Sequence, residues 1–262
     1  MTLRSLFRAR AGGATSRRAI SLVLTSLAAL LGPQATRAGD VCTATSPRLV
    51  APVVELYTSE GCNSCPPADR WLSRLKADPS VVALAFHVDY WDRLGWKDRF
   101  ASSAFTTRQA MQQASNGARF SYTPQVVVDG RDRTDWSRAV VPAPSRAPAT
   151  VEVALAQRGD GFVATVTPGA NAPPRLAAYW AVTEQGHVTA VKAGENEGAT
   201  LQHDFVVRDY EPVPAWNAHD SAAQTLAFKP ATPADAAHPR SVNLVVVDAA
   251  TGRPVQAVKV GC

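Results

Sequence analysis

Two cysteines two residues apart, Cys62-Asn63-Ser64-Cys65, are the residues of this chain best placed to do chemistry. They follow the apolar run Val53-Val54-Glu55-Leu56-Tyr57 and precede a stretch with helical spacing. The thiolate is the nucleophile of disulfide exchange, and the free N–H groups and positive dipole end of a helix N-terminus stabilise it. Such a position lowers a thiol pKa from about 8.5 to roughly 3.5–7.5. Cys62, on the loop side, is then the expected nucleophile, and Cys65 resolves the mixed disulfide by intramolecular attack. Two other readings stay open. Cys62 and Cys65 with His87 make a soft ligand set for delivery of copper(I) or zinc. Alternatively the CxxC is an oxidised structural staple in a non-catalytic binding protein, for which the loop Gly194-Glu195-Asn196-Glu197-Gly198 is the candidate site, unless it is only a polar turn.

The compartment decides how such cysteines are read. Arg4, Arg8, Arg10, Arg17 and Arg18 precede the apolar run Ile20 to Leu31, and Thr36-Arg37-Ala38 supplies small residues at a cleavage site. Residues 1–38 therefore read as a signal peptide, too short to span a bilayer, which needs about 20 apolar residues. A secreted or periplasmic protein is expected, exported by the general route or by a twin-arginine route suggested by Arg17-Arg18. No later segment is apolar enough for stable membrane insertion. The chain has 27 basic and 22 acidic residues, a net charge of +5. Taking away the six arginines of residues 1–38 leaves 21 basic against 22 acidic. The basicity belongs to the targeting segment, so no nucleic-acid partner is implied. No cofactor is expected, and no oligomeric state is encoded.

In an oxidising compartment Cys42 and Cys262, at opposite ends of the mature chain, read as a structural disulfide, with crosswise pairing to Cys62 or Cys65 as the alternative. Closing so long a loop stabilises by about 5 kcal/mol in the chain-entropy model.

Positioning the CxxC requires a strand before it and a helix after it. Residues 39–140 show that alternation: strand 53–57, helix 68–75, strand 81–88, helix 102–115, and strand 125–129 ending at Asp129-Gly130. Residues 141–148 are rich in proline and alanine and read as a linker. In residues 149–262 the period switches to two, with strands at 151–155, 162–166, 176–182, 187–191, 241–247 and 255–260 around short turns. The fold expected is an α/β N-terminal domain followed by an all-β sandwich-like C-terminal domain.

Tyr122-Thr123-Pro124 opens the strand at 125, where a proline is expected at an edge or irregular entry. With the CxxC and this strand order, the sequence resembles the thioredoxin superfamily. That resemblance implies an α/β thioredoxin-like fold for the N-terminal domain, a cis Thr123-Pro124 bond facing the cysteines, protein thiols and disulfides as partners, and Thr123 and Pro124 as substrate-binding positions. Three segments narrow it: Glu55 to Asp69, Phe86 to Asp98 and Thr123 to Gly130. These, with Gly194-Glu195-Asn196, His203 and Val206-Val207-Arg208, resemble the secreted bacterial thioredoxin-like family called domain of unknown function number 1223. Two positions depart from the superfamily. Leu56 stands where a buried acid is usual, leaving Glu60 and His87 as candidates for proton handling, unless Glu60 is a solvated loop carboxylate and His87 a core residue. Pro66-Pro67 starts the helix near Cys65 and removes amide donors, so the Cys62 thiol is expected to be less depressed.

Overall fold

The computed structural model describes residues 42–138 and 147–261. The signal peptide expected at 1–38, most of the linker and Cys262 lie outside the described residues. In chain order the strands are β1 Thr43–Thr45, β2 Val53–Thr58, β3 Val82–His87, β4 Gln125–Val128 and β5 Arg131–Asp132. Then come β6 Val151–Arg158, β7 Gly161–Pro168, β8 Arg175–Glu184, β9 His187–Ala190 and β10 Thr200–His203. The last are β11 Val206–Asn217, β12 Gln224–Phe228, β13 Arg240–Asp248 and β14 Pro254–Val260. Two α-helices accompany them, α1 Pro66–Ser73 and α2 Ser103–Ser115.

The expected pairing of an α/β thioredoxin-like domain with a separate all-β sandwich is contradicted. The described residues are mainly strand, and strands from both halves share one eight-stranded mixed sheet, in the order β14-β13-β8-β11-β3-β2-β4-β5. Parallel pairing is confined to β11 with β3 and β3 with β2. A four-stranded antiparallel sheet, β1-β6-β7-β12, and a two-stranded ribbon, β9-β10, complete the architecture.

The strand that fuses the halves is β11. Its Arg208-Asp209-Tyr210-Glu211-Pro212-Val213-Pro214 carries charges and two prolines, a composition that does not read as a strand. It pairs with β8 for most of its length, with irregularities at Val207/Asp209 and Val213/Trp216, but with β3 only at Val206 opposite Ala85. Past that bridge β11 is an edge among the described residues, where a proline's missing N–H is tolerated.

Alternating side chains give the large sheet two covered faces. Val54 and Leu56 of β2 pack with Ala68, Trp71 and Leu72 of α1. Val53 and Tyr57, on the other face, join Phe105 of α2 and Tyr179, Ala181 and Val245 in a core running across the sheet. Further along, Trp180, Leu244 and Val258 pack with Val153, Leu155 and Phe228 of the four-stranded sheet. β2, between parallel β3 and antiparallel β4, is buried along its whole length, as a central strand covered on both faces should be.

Glu55 sits inside the shared core and is satisfied from three elements. Its carboxylate pairs with Arg108 of α2 and accepts hydrogen bonds from Tyr57 (2.6 Å), Tyr179 of β8 (2.5 Å) and Gln112 (3.3 Å). The Arg108 guanidinium lies 3.8 Å over the Tyr179 ring and donates to the Tyr210 hydroxyl of β11 at 3.1 Å. Both partners are buried, so removing one strands the other's charge in the core. Arg108→Met should destabilise by roughly 3–5 kcal/mol, read from the midpoint of urea unfolding at constant slope. A loss below about 1 kcal/mol would show that this pair does not hold α2 and the two halves of the sheet together.

Candidate redox site

The CxxC occupies the turn between the end of β2 and the start of α1. Cys65 is the N-cap of α1, with Pro66 and Pro67 in the first turn, as expected from the missing N–H groups. The Cys65 carbonyl accepts from the amides of Ala68 (2.8 Å) and Asp69 (3.2 Å), and the Cys65 amide donates to the Cys62 carbonyl at 3.2 Å. Cys62 and Cys65 are joined in a disulfide. Both are fully buried, whereas Asn63 and Ser64 between them are exposed. Burial of Cys62 differs from the loop-side exposure expected of it. Cys42 is also disulfide-bonded, and the Cys62–Cys65 bond excludes crosswise pairing with either; its expected partner Cys262 lies outside the described residues.

The loop before β4 comes up beside this turn. The Thr123–Pro124 peptide is cis, and the Thr123 carbonyl accepts a long hydrogen bond from Ser64 Oγ at 3.5 Å. Ser64 Oγ is also 3.4 Å from Cys62 Sγ. Trp91 ties the two loops together, donating through Nε1 to Thr123 Oγ1 at 2.8 Å. Its Cβ lies so close to Gly61 that a Cβ at that position would sit 3.1 Å away. A side chain at Gly61 would require Trp91 to shift by a few tenths of an ångström.

Glu60 is buried rather than solvated. Its Oε2 accepts from Trp96 Nε1 at 2.8 Å, its Oε1 lies 3.5 Å from His203 Nε2, and its amide donates to Asp98 Oδ2 at 2.8 Å. Burial pushes the carboxyl up, but the neighbouring His203 ring, the Thr189 hydroxyl and the Trp96 N–H outweigh it and hold the group below the ordinary glutamate range. Ionised Glu60 is therefore a charged anchor for the turn.

His87, at the end of β3, is buried and bonded through Nδ1 to Asp98 Oδ2 at 2.6 Å. Burial lowers its pKa, but Asp98 first, then Asp69 and Glu60, bring it above the ordinary histidine value. Burial likewise raises Asp98, and His87 together with amide donors from Glu60 and Phe100 reverses the shift to below the aspartate range. Asp69, one turn along α1 from Cys65, accepts from Thr58 Oγ1 at 3.2 Å and is raised, chiefly by burial. The His87 and His203 rings meet edge to face at 5.0 Å. A compact layer of buried ionisable groups thus lies behind the disulfide. The alternative metal set of Cys62, Cys65 and His87 is not assembled: the sulfurs are bonded to each other, and among the described residues no group of three or more His, Cys, Asp and Glu is placed to hold an ion.

The β9–β10 hairpin closes the site from the second half of the chain. Asn196, in its loop, donates through Nδ2 to the carbonyls of Glu60 (2.8 Å) and Cys62 (3.0 Å), and Glu195 accepts from the Asn63 amide at 3.2 Å. Sequence reasoning singled out His203 and the Gly194–Gly198 loop but gave no reason to join them to Cys62. In the sequence this layer shows only as a dense polar and aromatic run, His87, Asp89, Trp91, Asp92, Trp96 and Asp98, at and after the end of β3.

A family model described as Protein of unknown function (DUF1223) matches residues 53–247, which span both the CxxC and the hairpin that covers it. The chain belongs to this family. It is similar to the crystal structure of a protein from Agrobacterium tumefaciens, a structural genomics target, at 26% identity and a TM-score of 0.60, covering 82% of this chain and 96% of that one. It is also similar in fold to HBP35 of Porphyromonas gingivalis, at 14% identity and a TM-score of 0.54, covering 82% of this chain and 76% of that one. No curated protein matches the chain. Among the described residues no helix is long and apolar enough to cross a membrane.

The His87–Asp98 pair makes stability depend on pH in both directions. Asp98, depressed in the fold, contributes above its unfolded value of about 3.9, and this is lost as pH falls through its folded value. His87, raised in the fold, contributes fully below its unfolded value of about 6.5, and this is lost as pH rises through its folded value. Melting temperature should therefore plateau between those values, and Asp98→Asn should shorten the acid limb and return the His87 NMR titration to or below 6.5. A wild-type His87 that already titrates at or below the ordinary value would contradict the assignment.

Proposed function

We propose that this protein exchanges thiols and disulfides on protein substrates through Cys62 and Cys65, in a secreted or periplasmic setting. The observation that carries the reading is the Cys62–Cys65 disulfide at the start of α1, with the Thr123–Pro124 loop against the exposed Ser64 between the cysteines and ionisable groups packed behind the pair. In the reducing direction the Cys62 thiolate bonds to one sulfur of a substrate disulfide and the other sulfur leaves as a thiolate. Cys65 then loses its proton and attacks Cys62, forming the internal disulfide and releasing the second substrate thiolate. Two electrons pass to the substrate, whose thiolates take up two protons. The oxidising direction is the reverse, and the reduction potential against that of the compartment selects between them.

Support comes from the helix N-terminus, which stabilises a thiolate at Cys62, and from the polar backbone of the Thr123–Pro124 loop, which is available to an extended partner beside the disulfide. Burial of both sulfurs favours a second reading, in which the pair is a permanent staple beneath the β9–β10 hairpin.

One experiment separates them. Cys65→Ser, expressed with its native N-terminal segment, should accumulate protein-sized adducts on Cys62 that vanish on adding reductant and are absent from the Cys62→Ser/Cys65→Ser double variant. A correctly folded Cys65→Ser protein without such adducts would overturn exchange on protein substrates and leave the staple.

A further inference from the structure

We infer that the β9–β10 hairpin is a latch on the disulfide, with Asn196 and Glu195 as its catch, and that attack on Cys62 requires the catch to release. The inference rests on the exchange reading and specifies how that site is regulated.

The hairpin is preformed. Behind its paired strands the loop is braced by Val191 N to Ala199 O (2.9 Å), Gly198 N to Val191 O (3.0 Å) and Ala199 N to Asn196 O (3.0 Å). Gly194 and Gly198 take left-handed φ values of 79° and 82°, which bring residues 195–197 over the CxxC. A Cβ on Gly194 would sit 3.3 Å from the Trp96 Cβ, so the loop lies directly on the residue whose indole holds Glu60. At the hairpin's other end His203 faces Glu60 Oε1. The base is therefore anchored in the buried layer, while the tip makes only three hydrogen bonds to the CxxC turn.

Those three bonds have a particular chemistry. Asn196 occupies the carbonyls of Glu60 and Cys62, the backbone acceptors next to the sulfur expected to be attacked, and Glu195 occupies the exposed Asn63 amide between the cysteines. Both side chains reach water on release, since Glu195 is exposed and Asn196 only partly buried, and the carbonyls they leave are readily solvated. Cys62, by contrast, is fully buried while the catch is closed. An extended polypeptide that offers its own N–H groups to the Glu60 and Cys62 carbonyls can replace Asn196 bond for bond, and that is the class of partner that opens the latch.

Reduction by dithiothreitol tests the latch without needing a protein substrate. The reductant's thiolate bonds to Cys62 Sγ as the Sγ–Sγ bond breaks, Cys65 leaves as a thiolate and takes a proton from solvent, and the reductant's second thiol displaces Cys62 and closes to a cyclic disulfide. The full-length oxidised protein is mixed with dithiothreitol, quenched by alkylation, and the Cys62/Cys65 peptide is quantified by mass spectrometry, separately from Cys42. Loss of two neutral hydrogen bonds should speed reduction about tenfold in Asn196→Ala. Glu195→Ala, altering an exposed side chain that the fold does not need, should accelerate it by a smaller factor and serves if Asn196→Ala fails to fold. Circular dichroism should match wild type in whichever variant is used, with unfolding still cooperative and only modestly earlier on heating. Rates within twofold of wild type in a native-like Asn196→Ala, or an unchanged rate in Glu195→Ala where Asn196→Ala does not fold, would overturn the latch. Faster reduction without substrate adducts on Cys65→Ser would remove the exchange reading alone, whereas adducts with unchanged reduction rates would remove the latch alone.

Discussion

A carboxylate cannot remain ionised inside a protein unless donors surround it, and Glu60 lies fully buried two residues before Cys62. Its partners come from places far apart in the chain: Trp96 donates to the carboxylate and the His203 ring faces it, while its amide donates to Asp98 and its carbonyl accepts from Asn196. Each contact fixes one wall around the CxxC turn. Trp96 supports the hairpin loop, Asp98 orients His87, His203 anchors the hairpin base, and Asn196 reaches from Glu60 to Cys62. The charge at Glu60 therefore requires the second half of the chain to be folded against the first, which makes the CxxC a property of the whole molecule.

The shared sheet meets the same requirement on a larger scale. β10, with its His203, leads within two residues into β11, the strand that bridges β8 and β3. A register that places Val206 opposite Ala85 also places His203 near the end of β3, where His87 lies. On the far face Glu55, Arg108, Tyr179 and Tyr210 connect the same elements through a second buried charge. β2 thus connects two different polar centres: Glu55 lies inside the core, and Glu60, just past the strand's end, meets Trp96 and His203.

Local elements were legible in the sequence because their signals are local. The apolar runs at β2 and β3, the period-two segments at β6, β7 and β13 and the proline-marked start of α1 all fall where spacing places them. Their assembly was not legible. β11 carries Pro212, Pro214 and a charged stretch, so the sequence offered no strand there, and without it the halves separate into two domains on paper. The site divides in the same way. Cys62, Cys65, Glu60 and His87 could be named from type and position and Thr123 and Pro124 from the family resemblance, but Asn196 meets Glu60 across a separation of 136 residues. Burial of Glu60 follows from that long-range contact, so a pattern confined to the CxxC segment could not choose between a proton-handling group and a solvated loop carboxylate.

The central claim is that Cys62–Cys65 is a reversible couple within a fold that persists in both states. Its most direct measurement is equilibration of the full-length protein across stepped dithiothreitol or glutathione ratios, with the two thiols counted by alkylation and mass spectrometry while the fold is followed by circular dichroism. The account predicts one two-electron transition, superimposable from the oxidised and reduced sides, with the native spectrum retained throughout. Reduction that occurs only together with loss of the fold would contradict it and make the pair a staple.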